Sequence, residues 1–240
     1  MTDQKTLSIS IIIPTLNEGG QVGACLDRLA QQSSSILPAG NLVEIIVVDG
    51  GSTDQTIPEA SARGIRLISS EPGRGQQQHR GAEAAQGDIL LFLHCDTALP
   101  SSFPPDITST LQQKDVIAGA FRLKINGANL GFRLIETGVH LRSTLFSLPY
   151  GDQALFMKKN TYLAAGGFPL QPIMEDVALV SRLQKMGKIV LTQTHVTTSA
   201  RRWQQHGLVK TTLINQLMLL GRAIGISPQQ LARFYYAQRK

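Results

Sequence analysis

Cysteine is scarce: Cys25 and Cys95 are the two in 240 residues. Both sit among apolar residues, so buried free thiols are expected and a disulfide scaffold is not. No uninterrupted apolar run reaches 18 residues, so no spanning helix is predicted. There is no internal repeat, low-complexity tract or linker-like stretch, and one domain is expected. That length is enough to bury roughly 70–75% of the unfolded chain's surface. Runs of like charge are missing too. The 23 basic residues outnumber the 17 acidic ones for a net charge of +6, but they are scattered, with doublets such as Lys158-Lys159 and Arg201-Arg202. Such a distribution gives no ground for nucleic-acid binding. It suits a protein that handles anionic ligands such as phosphates, or one that touches an anionic membrane. The opening M-T-D-Q-K-T is polar and carries no secretory pattern, so the cytoplasm is the expected location, with contact at the inner face of the membrane as a variant.

What is present is a regular alternation. L-S-I-S-I-I-I (7–13) reads as a strand ending at Pro14, and 18–30 follows with Val22, Cys25, Leu26 and Leu29 on one helical face. V-E-I-I-V-V (43–48) is a second strand ending at Asp49, and S-T-D-Q (52–55) has the form of a capping box. I-R-L-I-S (65–69) is a short third strand, 75–86 reads as helix, and D-I-L-L-F-L (88–93) as a fourth strand. Near-continuous apolar strands separated by helices predict an α/β fold: a mostly parallel, twisted, Rossmann-like sheet with helices on both faces. Ligands of such sheets lie beyond the carboxyl ends of the strands. Residues 14–18, 49–54 and 94–96 converge there, which is the first functional inference. The second half is less regular: a longer strand over 116–125, a helical stretch over about 128–147, a strand over 154–159 and an amphipathic helix over 175–187. Three parts of a single 1–240 domain are expected: a ligand-binding half to about 100, a second half over about 101–205, and a helical extension over about 206–240.

Several residues carry chemistry. V-V-D-G-G-S-T-D (47–54) places Asp49 at a strand end before two glycines, where its carboxylate either accepts hydrogen bonds from a nucleobase or holds the backbone of the turn. F-L-H-C-D-T (92–97) ends a buried strand with His94 and Asp96. In an extended segment residues i and i+2 face one way, so the two are expected to share a site. Asp96 suits a hard divalent ion, whereas His94 suits Mn²⁺ better than Mg²⁺, or serves as a hydrogen-bond donor or a structural residue.

P-T-L-N-E (14–18), V-D-G-G-S-T-D (48–54) and the strand-end Asp96 come in the order and spacing of family 2 glycosyltransferases, which the chain resembles over nearly its whole length. G-D-Q-A-L-F (151–156), G-G-F-P (166–169) and M-E-D-V-A-L (174–179) resemble a branch of small soluble bacterial members. The resemblance implies the GT-A fold with additional C-terminal helices, a nucleotide-diphosphate sugar as donor, and a divalent cation, Mn²⁺ or Mg²⁺. Pro14, Thr15 and Glu18 would line the nucleotide pocket with Asp49 reading the base. Arg74 and Arg80 would face the diphosphate, unless they only decorate a helix. The family presents Asp-x-Asp where this chain has His94 and Asp96; Asp96 would hold the cation that stabilises the leaving diphosphate.

On the acceptor side Asp176 would be the general base of an inverting transfer, with Glu175 beside it; helix capping is the plainer role for both. Gly151 and Asp152 match a turn beside the acceptor. S-A-R-R-W (199–203) resembles the Gln-x-x-Arg-Trp element of processive synthases with Ser199 in place of glutamine, so Arg202 would reach the diphosphate. Trp203 would stack on a sugar or pack in the core. Apolar positions 209, 213, 217, 220 and 224 form one helical face, suited to packing on the domain, to a homodimer, or to an interface near a lipid-linked acceptor. Two alternatives stand beside transfer: a non-catalytic nucleotide-sugar binder, left open by the altered His-x-Asp, and a nucleotidyltransferase. Against the latter, P-T-L-N-E occupies the place of the glycine-rich basic loop those enzymes carry.

Overall fold

The computed structural model describes residues 8–36 and 43–238; M-T-D-Q-K-T lies outside them. In chain order the elements are β1 (Ile9–Thr15), α1 (Val22–Ile36), β2 (Val43–Asp49), α2 (Thr56–Ser61), β3 (Arg66–Ser69), α3 (Arg74–Ala84) and β4 (Ile89–Phe92). There follow β5 (Thr97–Ala98), α4 (Phe103–Leu111), β6 (Val116–Ile125), α5 (Leu130–Leu145), β7 (Phe156–Lys158), α6 (Lys159–Ala164), α7 (Glu175–Leu183) and β8 (Lys188–Thr198). Helices α8 (Arg201–His206), α9 (Leu208–Ala223) and α10 (Pro228–Ala237) complete the order.

One eight-stranded sheet runs β3-β2-β1-β4-β7-β6-β8-β5. Its first four strands are parallel, as the alternating apolar runs predict. β7 is antiparallel to both β4 and β6, β8 is parallel to β6, and β5 is antiparallel to β8. Helices cover both faces. Ile9, Ile11 and Ile13 turn toward α1, with Cys25, Leu26 and Leu29, while Ile12 turns toward Ala82 of α3 and Leu179 of α7. That two-sided burial is why the strands read as unbroken apolar runs. Both cysteines are buried free thiols, and burial pushes Cys25 up to about 11. No described helix is long and apolar enough to cross a membrane.

Two local expectations are corrected. β1 does not stop at Pro14 but runs through it to Thr15, in register with β2. Pairing to β4 has already ended at Ile12, so the N–H that proline lacks is not missed on that side. The capping box over 52–55 does not form: Ser52 Oγ donates to Asp49, and Asp54 Oδ1 accepts from the backbone N–H of Thr56 at 2.9 Å.

The C-terminal helices are part of the structure around α7. Ile173 packs with Met218 of α9 and with Leu231 and Ala232 of α10, and Met174 lies against this cluster. The segment that precedes Glu175 is thereby fixed from the far end of the chain.

Candidate active site

The ends of β1 and β2 are zipped together. Asn17 N–H donates to Ser52 Oγ at 2.8 Å, and Asn17 Oδ1 accepts from Thr53 N–H at 2.9 Å. Glu18 N–H donates to Thr56 Oγ1 at 2.8 Å, and Gly19 N–H to Asp54 Oδ2 at 2.9 Å. Asn17 takes a left-handed conformation (φ 54°) to do this, which asparagine tolerates better than most residues.

Asp49 is the hub of the turn. Its carboxylate accepts from Gly51 and Ser52 N–H, both at 2.8 Å, from Ser52 Oγ, and from Thr15 Oγ1 at 3.2 Å. A carboxylate has about four acceptor sites, so in this conformation all of them serve the turn. The expected free acceptor for a base is thus a fixed wall, with Thr15 beside it and Pro14 buried in the strand beneath. Gln77, which carried no signal in the sequence, secures the same floor: its amide donates to Thr15 O at 2.7 Å and Val48 O at 2.8 Å.

β4 ends at Phe92, and residues 94–97 form a turn closed by Thr97 N–H to His94 O at 3.0 Å. The i, i+2 alternation of an extended strand therefore does not apply at His94 and Asp96. They nevertheless belong to one electrostatic cluster: burial first, then Arg74 and Arg202, push the His94 imidazole down to about 4, against the pull of Asp96 and Asp176. A neutral ring results, with a lone pair available.

α7 delivers the acidic pair. Met174 precedes it in a left-handed conformation (φ 62°), an unusual posture for methionine that sets the direction of the helix start. Asp176 Oδ2 accepts from Gly151 N–H at 2.8 Å and Oδ1 from Val177 N–H at 2.8 Å. A Cβ placed on Gly151 would lie 3.2 Å from His94 Nε2 and 3.4 Å from Asp176 Oδ2. Gly151, His94 and Asp176 therefore frame one small space. Glu175, by contrast, turns to α3: its Oε1 is 3.1 Å from Arg74 Nε. Burial raises its carboxyl despite Arg74, and Glu175 in turn raises Arg74.

Asp152 is half-buried near this space, with Oδ1 buried and unpartnered, and desolvation raises its carboxyl. Arg202 reaches the cluster and donates to Tyr235 Oη at 2.7 Å. Trp203 is 9% exposed in the core and packs edge-on against Phe132, at 6.1 Å between centroids, so the expected stacking platform is largely core. Arg80 is not brought in. It is exposed on α3 six residues beyond Arg74, about 9 Å along the axis and about 120° around it. Arg201, which had no assigned part, bridges to Glu18 at 3.3 Å and closes the β1 end of the site.

The donor set fits a hard divalent ion held partly by its ligand. Among the described residues no group of three His, Cys, Asp or Glu forms a metal cage. Mg²⁺ and Mn²⁺ sites on phosphates need only one or two protein ligands, and Asp96, which accepts Thr97 Oγ1 at 3.2 Å, with neutral His94 nearby, supplies that number.

The family model of glycosyl transferase family 2 matches residues 10–170. This chain belongs to that family. A PGL/p-HBAD biosynthesis glycosyltransferase of Mycobacterium bovis (strain BCG / Pasteur 1173P2) is 41% identical over 227 residues, 88% of this chain and 82% of that protein. Glucosyl-3-phosphoglycerate synthase of Mycolicibacterium smegmatis is 33% identical over 147 residues, 54% of this chain and 47% of the relative, so this match spans about half the relative's length. The fold matches that of the Mycobacterium tuberculosis glucosyl-3-phosphoglycerate synthase, solved with Mn²⁺, UDP and glucosyl-3-phosphoglycerate. The TM-score is 0.59 at 23% identity, over 80% of this chain and 71% of that one. S. aureus TarS (1–349), solved with UDP-GlcNAc, gives a TM-score of 0.60 at 19% identity, over 80% and 58%. The GT-A fold expected of the family 2 chain is thus present.

Proposed function

We propose that this family 2 member transfers a glycosyl group from a nucleoside-diphosphate sugar to an acceptor hydroxyl, with inversion. The observation that carries the reading is the frame around Asp176: its carboxylate is held by Gly151 N–H at 2.8 Å, in a space shared with His94 Nε2. In the step, the acceptor oxygen attacks the anomeric carbon as its proton passes to Asp176. The anomeric carbon–oxygen bond to the diphosphate breaks, and its electron pair leaves with the nucleotide. The two backbone N–H groups on Asp176 fix the orientation of the carboxylate. Asp96, with His94 beside it, would hold a divalent cation, which when bound offsets charge developing on the departing diphosphate. The zipped β1 and β2 ends with Asp49 would wall the base pocket, and Arg202 would face the phosphates. Arg74 acts through Glu175, steadying the α7 terminus beside the base.

The test is turnover and binding of UDP-glucose and other nucleotide sugars with Mn²⁺ or Mg²⁺. Asp176→Asn is expected to lose at least 100-fold in turnover, hydrolysis included, while donor binding persists. Asp96→Ala is expected to abolish the metal dependence of donor binding. Asp176→Asn with wild-type turnover would remove the base assignment, and donor binding indifferent to both metal and Asp96 would remove the cation assignment.

A further inference from the structure

Charge is unevenly divided along the chain. All 17 Asp and Glu residues precede residue 199, whereas seven of the 23 Lys and Arg residues follow it. Residues 1–198 thus carry a net −1, from 16 basic against 17 acidic residues, and residues 199–240 carry +7. Two of the seven, Arg239 and Lys240, lie outside the described residues; Arg201, Arg202, Lys210, Arg222 and Arg233 are on α8, α9 and α10. Exposed apolar side chains gather in the same region. Of the 17 large ones among the described residues, 13 fall within 130–146 and 209–236. Single exposed leucines are ordinary, but such a concentration marks an interaction surface. Leu130, Leu134 and Leu145 of α5 are 70–81% exposed, and Val209, Leu213 and Leu220 of α9 are 57–67% exposed. The two helices are neighbours: a Cβ on Gly131 of α5 would lie 2.7 Å from Leu208 Cδ1 of α9, and both flank one open groove.

The few acids near this face are withdrawn from it. Glu136, the single acid of α5, has a side chain 15% exposed; it accepts from Ile125 N–H at 2.6 Å and pairs with Arg133 at 3.1 Å. Asp152, which lines the groove, is half-buried. α8, α9 and α10 have no acid at all. Lys210 and Leu217 are seven residues apart on α9 and so point within about 20° of one another, which sets a cation in line with the apolar stripe. Lys210 also shares a cleft with Arg202 of α8.

We propose that the face formed by α5 and α9 docks on an anionic lipid surface, with its aliphatic side chains in the acyl boundary and the cations of α8 to α10 turned to the lipid phosphates. Burial of apolar area and attraction to anionic lipid add to one another on such a helix. No described helix is long and apolar enough to span, so the 16-residue α9 would lie along the surface. Charge argues against a second copy as the occupant, because two copies meeting through this face would set one acid-free segment against another. The proposal goes beyond glycosyl transfer and does not depend on it.

The experiment is co-sedimentation of the full chain with vesicles of phosphatidylcholine alone and of an equal mixture with phosphatidylglycerol, in about 0.1 M and about 0.5 M NaCl. Binding is expected to be at least tenfold tighter to the mixture, and weaker at the higher salt. Lys210→Gln should weaken it about fivefold, the equivalent of about 1 kcal/mol per cation at the surface. Leu213→Asp and Leu220→Asp should each weaken it at least tenfold. Leu163→Asp on α6, at a position 53% exposed and away from this face, should bind like the wild type. Thermal melts of the variants check that each is folded. Equal binding to the two vesicles, binding to neither, or a loss with Leu163→Asp as large as with Leu213→Asp would overturn the proposal. So would a dimer dispersed by Leu213→Asp in a chain that ignores vesicles, which assigns the face to a second copy.

Discussion

His94 is held neutral by its surroundings, and this has a consequence for stability. Its folded value lies near 4 while an unfolded histidine titrates near 6.5. Between those values the unfolded chain binds a proton that the folded chain refuses, so stability falls as pH drops from about 6.5 to 4. Asp152 and Glu175 act in the opposite sense. Burial raises both, so the stability they contribute at low pH is lost as pH rises through their folded values. A comparison with His94→Gln isolates the histidine. Denaturant unfolding at pH 6.5, 5.5 and 4.5 should show the wild type losing up to about 1.4 kcal/mol per pH unit more than the variant; parallel curves would mean that the imidazole is free to protonate. At this scale the sequence was informative about residue type and poor on partners. Asp96 stood out because it ends a buried apolar run, and Asp176 and Gly151 through the motifs that resemble the family. Arg80 was misplaced because a helix turns it away from Arg74. Gln77, Arg201 and Tyr235 carried no signal, since their partners lie 29 or more residues away.

Two glycines inside helices give opposite expectations for the same substitution. Gly138 in α5 faces open space, whereas a Cβ on Gly81 in α3 would drive into Ile12 and Val48 of β1 and β2. Gly138→Ala should gain about 0.5–1 kcal/mol from helix propensity alone. Gly81→Ala should lose about 1–3 kcal/mol, because α3 must lift off the sheet. Thermal melts of the two variants check both signs. The periodic elements were legible where the rule was local: β6 falls on 116–125 as predicted, and α5 lies within 128–147. β8 was not read from its sequence. K-I-V-L-T-Q-T-H-V-T-T mixes apolar and hydroxyl residues, and its pairing with β6 includes register shifts that break simple alternation. The reversed direction of β7 was equally hidden, because strand order depends on contacts and not on any one strand's residues.

At the scale of the molecule, ion pairs join the early and late parts of the chain. Arg74 meets Glu175 and Glu18 meets Arg201. Glu175 is buried while Arg74 is about half exposed, so the cost of losing the arginine depends on the charge left behind. Arg74→Ala should destabilise by about 1–3 kcal/mol near pH 8 and by less near pH 5, where the unpaired Glu175 takes up a proton. Chemical denaturation at the two pH values reads the difference, and an equal loss at both would show that the pair carries no charge-dependent stability. The parallel half of the sheet was foreseeable from the alternation of strands and helices. The role of α9 and α10 in holding the start of α7 was not, because it rests on a cluster of Ile173, Met218 and Leu231 assembled across distant segments.

The place of β7 between β4 and β6 also sets a timetable for synthesis. β1 to β4 can pair as soon as they leave the ribosome, but the partner that covers the free edge of β4 begins about 60 residues later, at Phe156. At about 5–20 residues per second that gap is on the order of 3–12 s. For that interval the nascent chain presents Leu90 and Leu91 on an open strand edge, and a chaperone that guards this chain would find its work there, before α7 exists.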